Sequence, residues 1–169
     1  MVLLLSGVPP AYVRSDRSQG AERIPTASAC HDGRMSYLER PRDDQRCPCT
    51  SGDVFGSCCE PVISSGIAPT ALRLMRSRFT AFAFGDVEHL RRTWHPSTRP
   101  EALDLDDDVR WLRLDILDTA RGGPFDVDGI VEFEAFYRED GTRGSMRERS
   151  RFVREDRVWL YVDGVTSSR

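Results

Sequence analysis

Val131-Glu132-Phe133-Glu134-Ala135-Phe136-Tyr137-Arg138-Glu139-Asp140-Gly141 is the stretch on which the fold turns. Val131, Phe133, Ala135 and Tyr137 alternate with Glu132 and Glu134, so a period of two places the apolar set on one sheet face and the carboxylates toward solvent. Asp140-Gly141 then supplies the left-handed residues of a two-residue hairpin. Beyond it, Met146, Glu148, Ser150 and Phe152 continue one face of a third strand, and Trp159 and Tyr161 lie on a fourth. Upstream, the alternation starts after Asp108. There Leu112, Leu114 and Ile116 are spaced by charged partners until Arg121-Gly122-Gly123-Pro124 breaks the strand. The pattern predicts an antiparallel meander.

Helical spacing precedes the strands. Thr70 is placed to cap a helix to about Phe84, with Leu72, Met75, Phe79 and Phe82 along its apolar side. Gly85 stops it, and Asp86 caps a shorter helix through Leu90 to about Thr93, ahead of His95-Pro96. Pro61 to Ala68 reads as a loop. The element order predicts an α+β domain with two or more helices packed on a curved antiparallel sheet.

Ahead of the helices stands Cys47-Pro48-Cys49-Thr50-Ser51-Gly52-Asp53-Val54-Phe55-Gly56-Ser57-Cys58-Cys59. Two thiolates one residue apart, then two adjacent thiolates, bring four soft ligands onto one ion, so Cys47, Cys49, Cys58 and Cys59 read as a tetrahedral zinc knuckle. A closed four-sulfur site is structural and leaves no open position for substrate. Cys30 stands apart and reads as an incidental thiol.

Composition removes several alternatives. The 169 residues are 39% hydrophobic and 30% charged, the balance of a soluble globular protein. Val2-Leu3-Leu4-Leu5 is too short for a signal-peptide core, and no apolar run approaches the ~20 residues that span a bilayer. A cytoplasmic location and reduced thiols are therefore expected. All 24 basic positions are arginine, and neither lysine nor asparagine occurs, which excludes Schiff-base lysine chemistry and a Walker lysine. The net charge of −3 argues against electrostatic nucleic-acid binding by the whole chain, and no sequence-specific DNA binding is expected.

Residues 1–34 lack periodicity and read as a disordered or misannotated extension, with Met35 as an alternative start. The remaining divisions are a zinc module over 35–66, an α+β domain over 67–165 and a tail over 166–169.

Cys47-Pro48-Cys49, Ser51-Gly52 and Cys58-Cys59 resemble the SEC-C zinc motif, first associated with the tail of the translocase motor SecA. Leu74 to Phe82, Thr93 to Pro96, Glu148 to Phe152 and Trp159 to Gly164 resemble the YchJ family. The resemblance implies a zinc knuckle joined to a nuclear transport factor 2-like domain, a cone of curved sheet around helices that often holds a pocket. It implies no established activity. Thr50 and Asp53 stand where the SEC-C loop commonly has glycine and basic residues.

Trp94, His95, Glu148, Ser150, Trp159 and Tyr161 are the pocket candidates of such a cone. His95 carries an imidazole that could serve as general acid or base, and Glu148 shares a strand face with apolar residues, so it needs a partner such as Arg78 or His95, or a raised pKa. Together His95 and Glu148 form a candidate acid/base pair for a small-molecule enzyme. The favoured expectation is a non-catalytic adaptor, with structural Zn2+ holding the loop Thr50 to Ser57 toward a protein or ribonucleoprotein partner. A homodimer through the sheet is a further expectation. Arg73, Arg76, Arg78, Arg91, Arg92 and Arg99 read as a solvated basic face rather than an RNA surface.

Overall fold

The structure is a computed structural model in which residues 38–167 are described. The N-terminal extension with Cys30 and Met35, and the last two residues of the tail, lie outside them.

The cysteine segment folds first as a small knuckle. Arg46 bridges Val54, Cys47 N–H donates to Asp53 O, and a 3-10 turn over Phe55–Ser57 leads into the second cysteine pair. Helix α1, Glu60–Ser65, follows directly. The sequence suggested a loop from Pro61 to Ala68, and its first part is this helix. Pro61 sits in the first turn, where its missing N–H costs nothing, and the Cys59 carbonyl accepts from Val62 and Ile63 to start the helix.

Helix α2, Ala71–Phe84, has the predicted caps. The Thr70 hydroxyl accepts from Arg73 N–H at 3.1 Å, and Gly85 closes the C-terminus at φ 77°. Asp86 caps α3, Val87–Arg92, through His89 N–H at 2.9 Å. Four antiparallel strands complete the domain: β1 Val109–Arg121, β2 Asp128–Glu139, β3 Thr142–Glu155 and β4 Val158–Ser167, in that spatial order. Asp140 and Gly141 both have positive φ at the β2–β3 turn, as a two-residue hairpin demands.

Helix α2 lies across one face of this sheet. Val131, Phe133 and Ala135 of β2, Phe152 of β3 and Trp159 of β4 are buried beneath it with Leu74, Phe79 and Ala81. The cysteines belong to the same continuous core, so the knuckle and the sheet enclose α2 from two sides. The opposite sheet face carries ion pairs, including Glu132 with Arg147 and Arg149, and Arg151 with Asp163.

Strand β1 departs from simple alternation. Trp111 pairs with Tyr137 and Arg113 with Phe136, so Leu112 is an extra residue at a bulge. It is 38% exposed, whereas Trp111 turns inward against Phe79 at 5.9 Å and Phe82 at 6.1 Å. Leu112 therefore does not share the buried face of Leu114, contrary to the period-two expectation. One inserted residue inverts the facing of everything before it.

Candidate metal centre and the polar interior of the sheet

Cys47, Cys49, Cys58 and Cys59 are buried, and their Sγ atoms lie within 4.8 Å of one another. Cys49 and Cys58 are 3.5 Å apart and Cys58 and Cys59 3.9 Å. Sulfurs on a zinc-sized ion at ~2.3 Å would be about 3.8 Å apart, so the donor set fits a tetrahedral dication. All four are free thiols.

Backbone turns create this convergence. Thr50 N–H returns to Cys47 O at 3.1 Å, and Cys58 N–H to Phe55 O at 3.0 Å. Thr50 has φ 55°, a left-handed conformation that costs a non-glycine residue about 1 kcal/mol. Its side chain offsets that cost. Thr50 Oγ1 donates to Leu114 O at 2.9 Å and accepts from Leu114 N–H at 3.2 Å, occupying a ladder position on the outer edge of β1. Thr50 is thus an anchor to the sheet just beyond the bulge.

Protons alone leave the four thiols in conflict. Hydrogen bonds from Cys47 and then Cys59 hold Cys49 well below the usual thiol range. Cys47 is pushed up to about 12, chiefly through its hydrogen bond with Cys49, and Cys59 is pushed up through Cys47 and then Cys49. Buried like charges this close cannot all form unless a cation joins them. A dication held by the four cysteines would supply that compensation.

The long helix contributes to the sulfur surroundings. Thr80 Oγ1 donates to Cys59 Sγ at 3.3 Å and lies 3.7 Å from Cys47 Sγ. Arg73 Nη1 donates to Cys58 Sγ at 3.6 Å, and its Nη2 donates to Cys58 O. Arg76 Nη1 donates to Cys49 O at 2.9 Å. From the knuckle itself, Ser51 Oγ lies 3.1 Å from Cys58 Sγ, and Arg46 donates to Gly52 O. Arg73, Arg76 and Thr80 are a polar stripe at i, i+3 and i+7, within about 60° on a helix turning 100° per residue. The expectation of one solvated basic face over Arg73, Arg76, Arg78, Arg91, Arg92 and Arg99 is corrected here, because Arg73 and Arg76 turn to the knuckle while Arg78 turns to the other side of α2. Thr80 was not singled out at all.

Arg78 lies on the opposite side of α2 and is 2% exposed. Its Nη1 donates to Leu90 O at 2.8 Å and Thr93 Oγ1 at 2.9 Å, and its guanidinium lies over Trp94 at 4.9 Å and Tyr161 at 4.5 Å. Beneath it on β3, Glu148 Oε1 accepts from Ser150 Oγ at 2.6 Å and Tyr161 OH at 3.2 Å. Burial raises the Glu148 pKa, and Ser150, Tyr161 and Arg78 pull it partly back. Tyr161 is raised by burial and then by the Glu148 charge. Gly164 lets the carboxyl lie flat on β4, since a Cβ there would collide with Glu148 Oε1.

The pocket candidates divide accordingly. Glu148, Ser150 and Tyr161 form one cluster, and the partner anticipated in Arg78 is beside it. Trp94 stacks edge-on with Tyr161 at 5.1 Å, Phe152 meets Tyr161 at 5.7 Å, and Trp159 is fully buried, so aromatic side chains fill this interior. His95 is held elsewhere. Its Nδ1 lies 2.6 Å from Ser97 Oγ and its Nε2 3.2 Å from Glu155 Oε1, near the surface. The His95 ring thus turns to Ser97 and Glu155, whereas the Glu148 carboxyl turns to Ser150 and Tyr161.

Among the described residues the buried histidine is His89, for which the sequence carried no expectation. Ser77 Oγ donates to Leu74 O, so His89 Nε2–H donates to Ser77 Oγ at 3.0 Å and its Nδ1 accepts from Arg92 at 3.4 Å. Burial, with Arg78 and Arg92 nearby, lowers its pKa to about 3, so the ring is neutral.

The family model described as YchJ, middle NTF2-like domain, matches residues 70–164, from the α2 cap into β4. The UPF0225 protein SCO1677 of Streptomyces coelicolor is 50% identical over 119 residues, 70% of this chain and 93% of that protein. The UPF0225 protein Cgl1438/cg1626 of Corynebacterium glutamicum is 48% identical over 121 residues, 71% of this chain and 96% of that protein. Among solved structures, the SEC-C motif containing protein RPA3114 of Rhodopseudomonas palustris aligns with TM-score 0.64 and 30% identity, covering 72% of this chain and 98% of that one. A SEC-C motif containing protein of Psychrobacter arcticus shares the fold with TM-score 0.61 and 22% identity, covering 75% and 85%.

Proposed function

We propose, from the premise that this chain belongs to the YchJ family of UPF0225 proteins, that Cys47, Cys49, Cys58 and Cys59 hold a structural zinc ion in a non-catalytic binding module. The observation that carries this reading is the closed geometry of four buried thiols, which uses every ligand position of a tetrahedral ion. Two solved relatives in fold are described as SEC-C motif containing proteins, which supports metal as the occupant. The part of the knuckle left for a protein or ribonucleoprotein partner is Gly52 to Val54 with Ser57, since Phe55 and the second cysteine pair are buried and Thr50 is engaged with β1. Among the described residues no helix is long and apolar enough to cross a membrane. We place the protein in the cytoplasm because the site requires reduced thiols. Arg73, Arg76 and Arg78 donate inward and do not supply a basic face to RNA, which favours a protein partner.

The test is affinity purification of the intact protein beside Cys58→Ser, with metal measured on both. A partner lost together with zinc supports the module; identical partners and unchanged metal sink it.

A second reading has an observation of its own. Glu148 Oε2 is buried with no hydrogen-bond partner among the described residues, and the carboxyl has a raised pKa, a pattern frequent at ligand or catalytic sites. In that reading Glu148 works without His95. A small apolar hydrogen-bond donor that shifts the Glu148 carboxyl resonance in NMR titration would favour it; an unresponsive resonance across a ligand panel removes it.

A further inference from the structure

We infer that Thr80 and Arg73 of α2 are outer-shell residues of the thiolate centre, so that the sheet domain, and not the knuckle alone, sets how tightly the metal is retained. The inference rests on the zinc reading above and extends it from the four ligands to residues that touch their sulfurs.

The distribution of donors carries the argument. Thr80 is fully buried, and its hydroxyl donates to Cys59 Sγ at 3.3 Å while lying 3.7 Å from Cys47 Sγ, so one hydroxyl stands between sulfurs from the two cysteine pairs. A thiol is a weak acceptor, whereas a thiolate is a strong one. A buried hydroxyl aimed at sulfur is therefore best satisfied when the cysteines are deprotonated and metal-bound. Arg73 acts on the other side, with Nη1 toward Cys58 Sγ and Nη2 on Cys58 O, which fixes both the sulfur and its peptide.

Charge gives the second argument. Four thiolates on a dication leave two negative charges in a buried site, and such charge is costly unless countered. Arg73 is within 3.6 Å of a sulfur, and Arg76 and Arg46 donate to the Cys49 and Gly52 carbonyls of the same loop. Two of these three guanidinia come from α2, which also packs on β1, β2 and β4. A hydrogen bond or cation at a thiolate withdraws electron density and lowers the sulfur's tendency to take up a proton, the first step in ligand loss.

The experiment uses the full chain as parent, Thr80→Val, Thr80→Ser and Arg73→Met. Zinc transfer to a chromophoric chelator and the thiolate-to-cobalt charge-transfer bands of the Co2+-loaded protein are recorded for each. Thr80→Val and Arg73→Met are expected to release zinc on the order of 10-fold faster and to shift the cobalt bands. Thr80→Ser, which keeps the hydroxyl, is expected to restore the parental rate and spectrum. A purely structural threonine predicts the reverse, with valine tolerated in the core and serine leaving a methyl-sized void. Normal metal uptake with unchanged release and spectra in Thr80→Val and Arg73→Met overturns the inference alone. A parent that binds neither zinc nor cobalt overturns the zinc reading and this inference together.

Discussion

The two sides of α2 bury polar groups in opposite ways. On the knuckle side, Arg73, Arg76 and Thr80 meet soft sulfurs and carbonyls, and one bound cation would complete the chemistry. On the sheet side, Arg78 meets carbonyl, hydroxyl, aromatic faces and the Glu148 charge, so the protein brings its own cation. That second cluster still leaves Glu148 Oε2, Trp94 Nε1 and Trp159 Nε1 without partners among the described residues. The contrast teaches that one helix can be polar on both sides and still lie in the core, provided each side faces a different chemistry.

The most severe way to break the knuckle side is Cys58→Ser. Loss of stoichiometric zinc and of several kcal/mol of stability is expected, because metal binding and folding are coupled and the cysteines share the core with the sheet. Metal analysis and thermal melts of both proteins check it. A variant that loses zinc yet melts with the parent would show the knuckle to be energetically separate.

On the sheet side, Arg78→Met is expected to cost about 3 kcal/mol, since it strands Glu148 and removes a donor from Leu90 O and Thr93. Glu148→Gln alone should be tolerated, because an amide oxygen can still accept from Ser150 and Tyr161. The double variant should recover part of the Arg78→Met loss in denaturant melts, and strict additivity would show that the two residues do not couple.

pH separates two titrating groups. The unfolded chain protonates His89 near 6.5, whereas the folded value is about 3, so the unfolded state binds more protons between them. Stability therefore falls as pH drops from about 6.5 toward 3, and His89→Gln should flatten that limb. Glu148 has the opposite sign. Its folded pKa lies above 4.5, so the folded state holds the extra proton and stability declines as pH rises through the folded value. Glu148→Gln should remove that decline, as stability measured across pH would show.

The smallest expected effects lie at the seam with β1. Thr50→Ala keeps the left-handed backbone and loses both bonds to Leu114, a cost of about 1 kcal/mol; Thr50→Gly relieves the backbone and should recover part of it. Leu112→Lys is expected to stay within about 0.5 kcal/mol because the bulge points that side chain outward. A large loss in the Leu112→Lys melt would contradict the bulge.

Much of the frame was legible because its causes are local. The Thr70 and Asp86 caps, the Gly85 stop and the Asp140-Gly141 turn are written in two to four residues each. The face shared by Met146, Glu148, Ser150 and Phe152 followed from alternation, and the structure buries the last three under α2. What escaped depended on distant partners. Trp111 replaces Leu112 at the core because of an irregularity in pairing with β2, and α1 arises where Pro61 can start a helix from a cysteine carbonyl. His89 looks like any helical histidine until Ser77 and Arg78 are placed beside it.

By itself the sequence determined the thiol chemistry, the caps of α2 and α3 and the hairpin. Ligand softness, capping and positive φ are properties of single residues and their near neighbours. Only the tertiary structure decided that Arg73 and Thr80 turn to sulfur, that Arg78 turns to Leu90, Thr93 and the Trp94 and Tyr161 rings, that His95 goes to Glu155, and that Thr50 ties the knuckle to an edge strand. Those outcomes depend on two surfaces, far apart in the chain, meeting across one helix. Burial there makes every unpaired polar group costly enough to fix which partner each one takes.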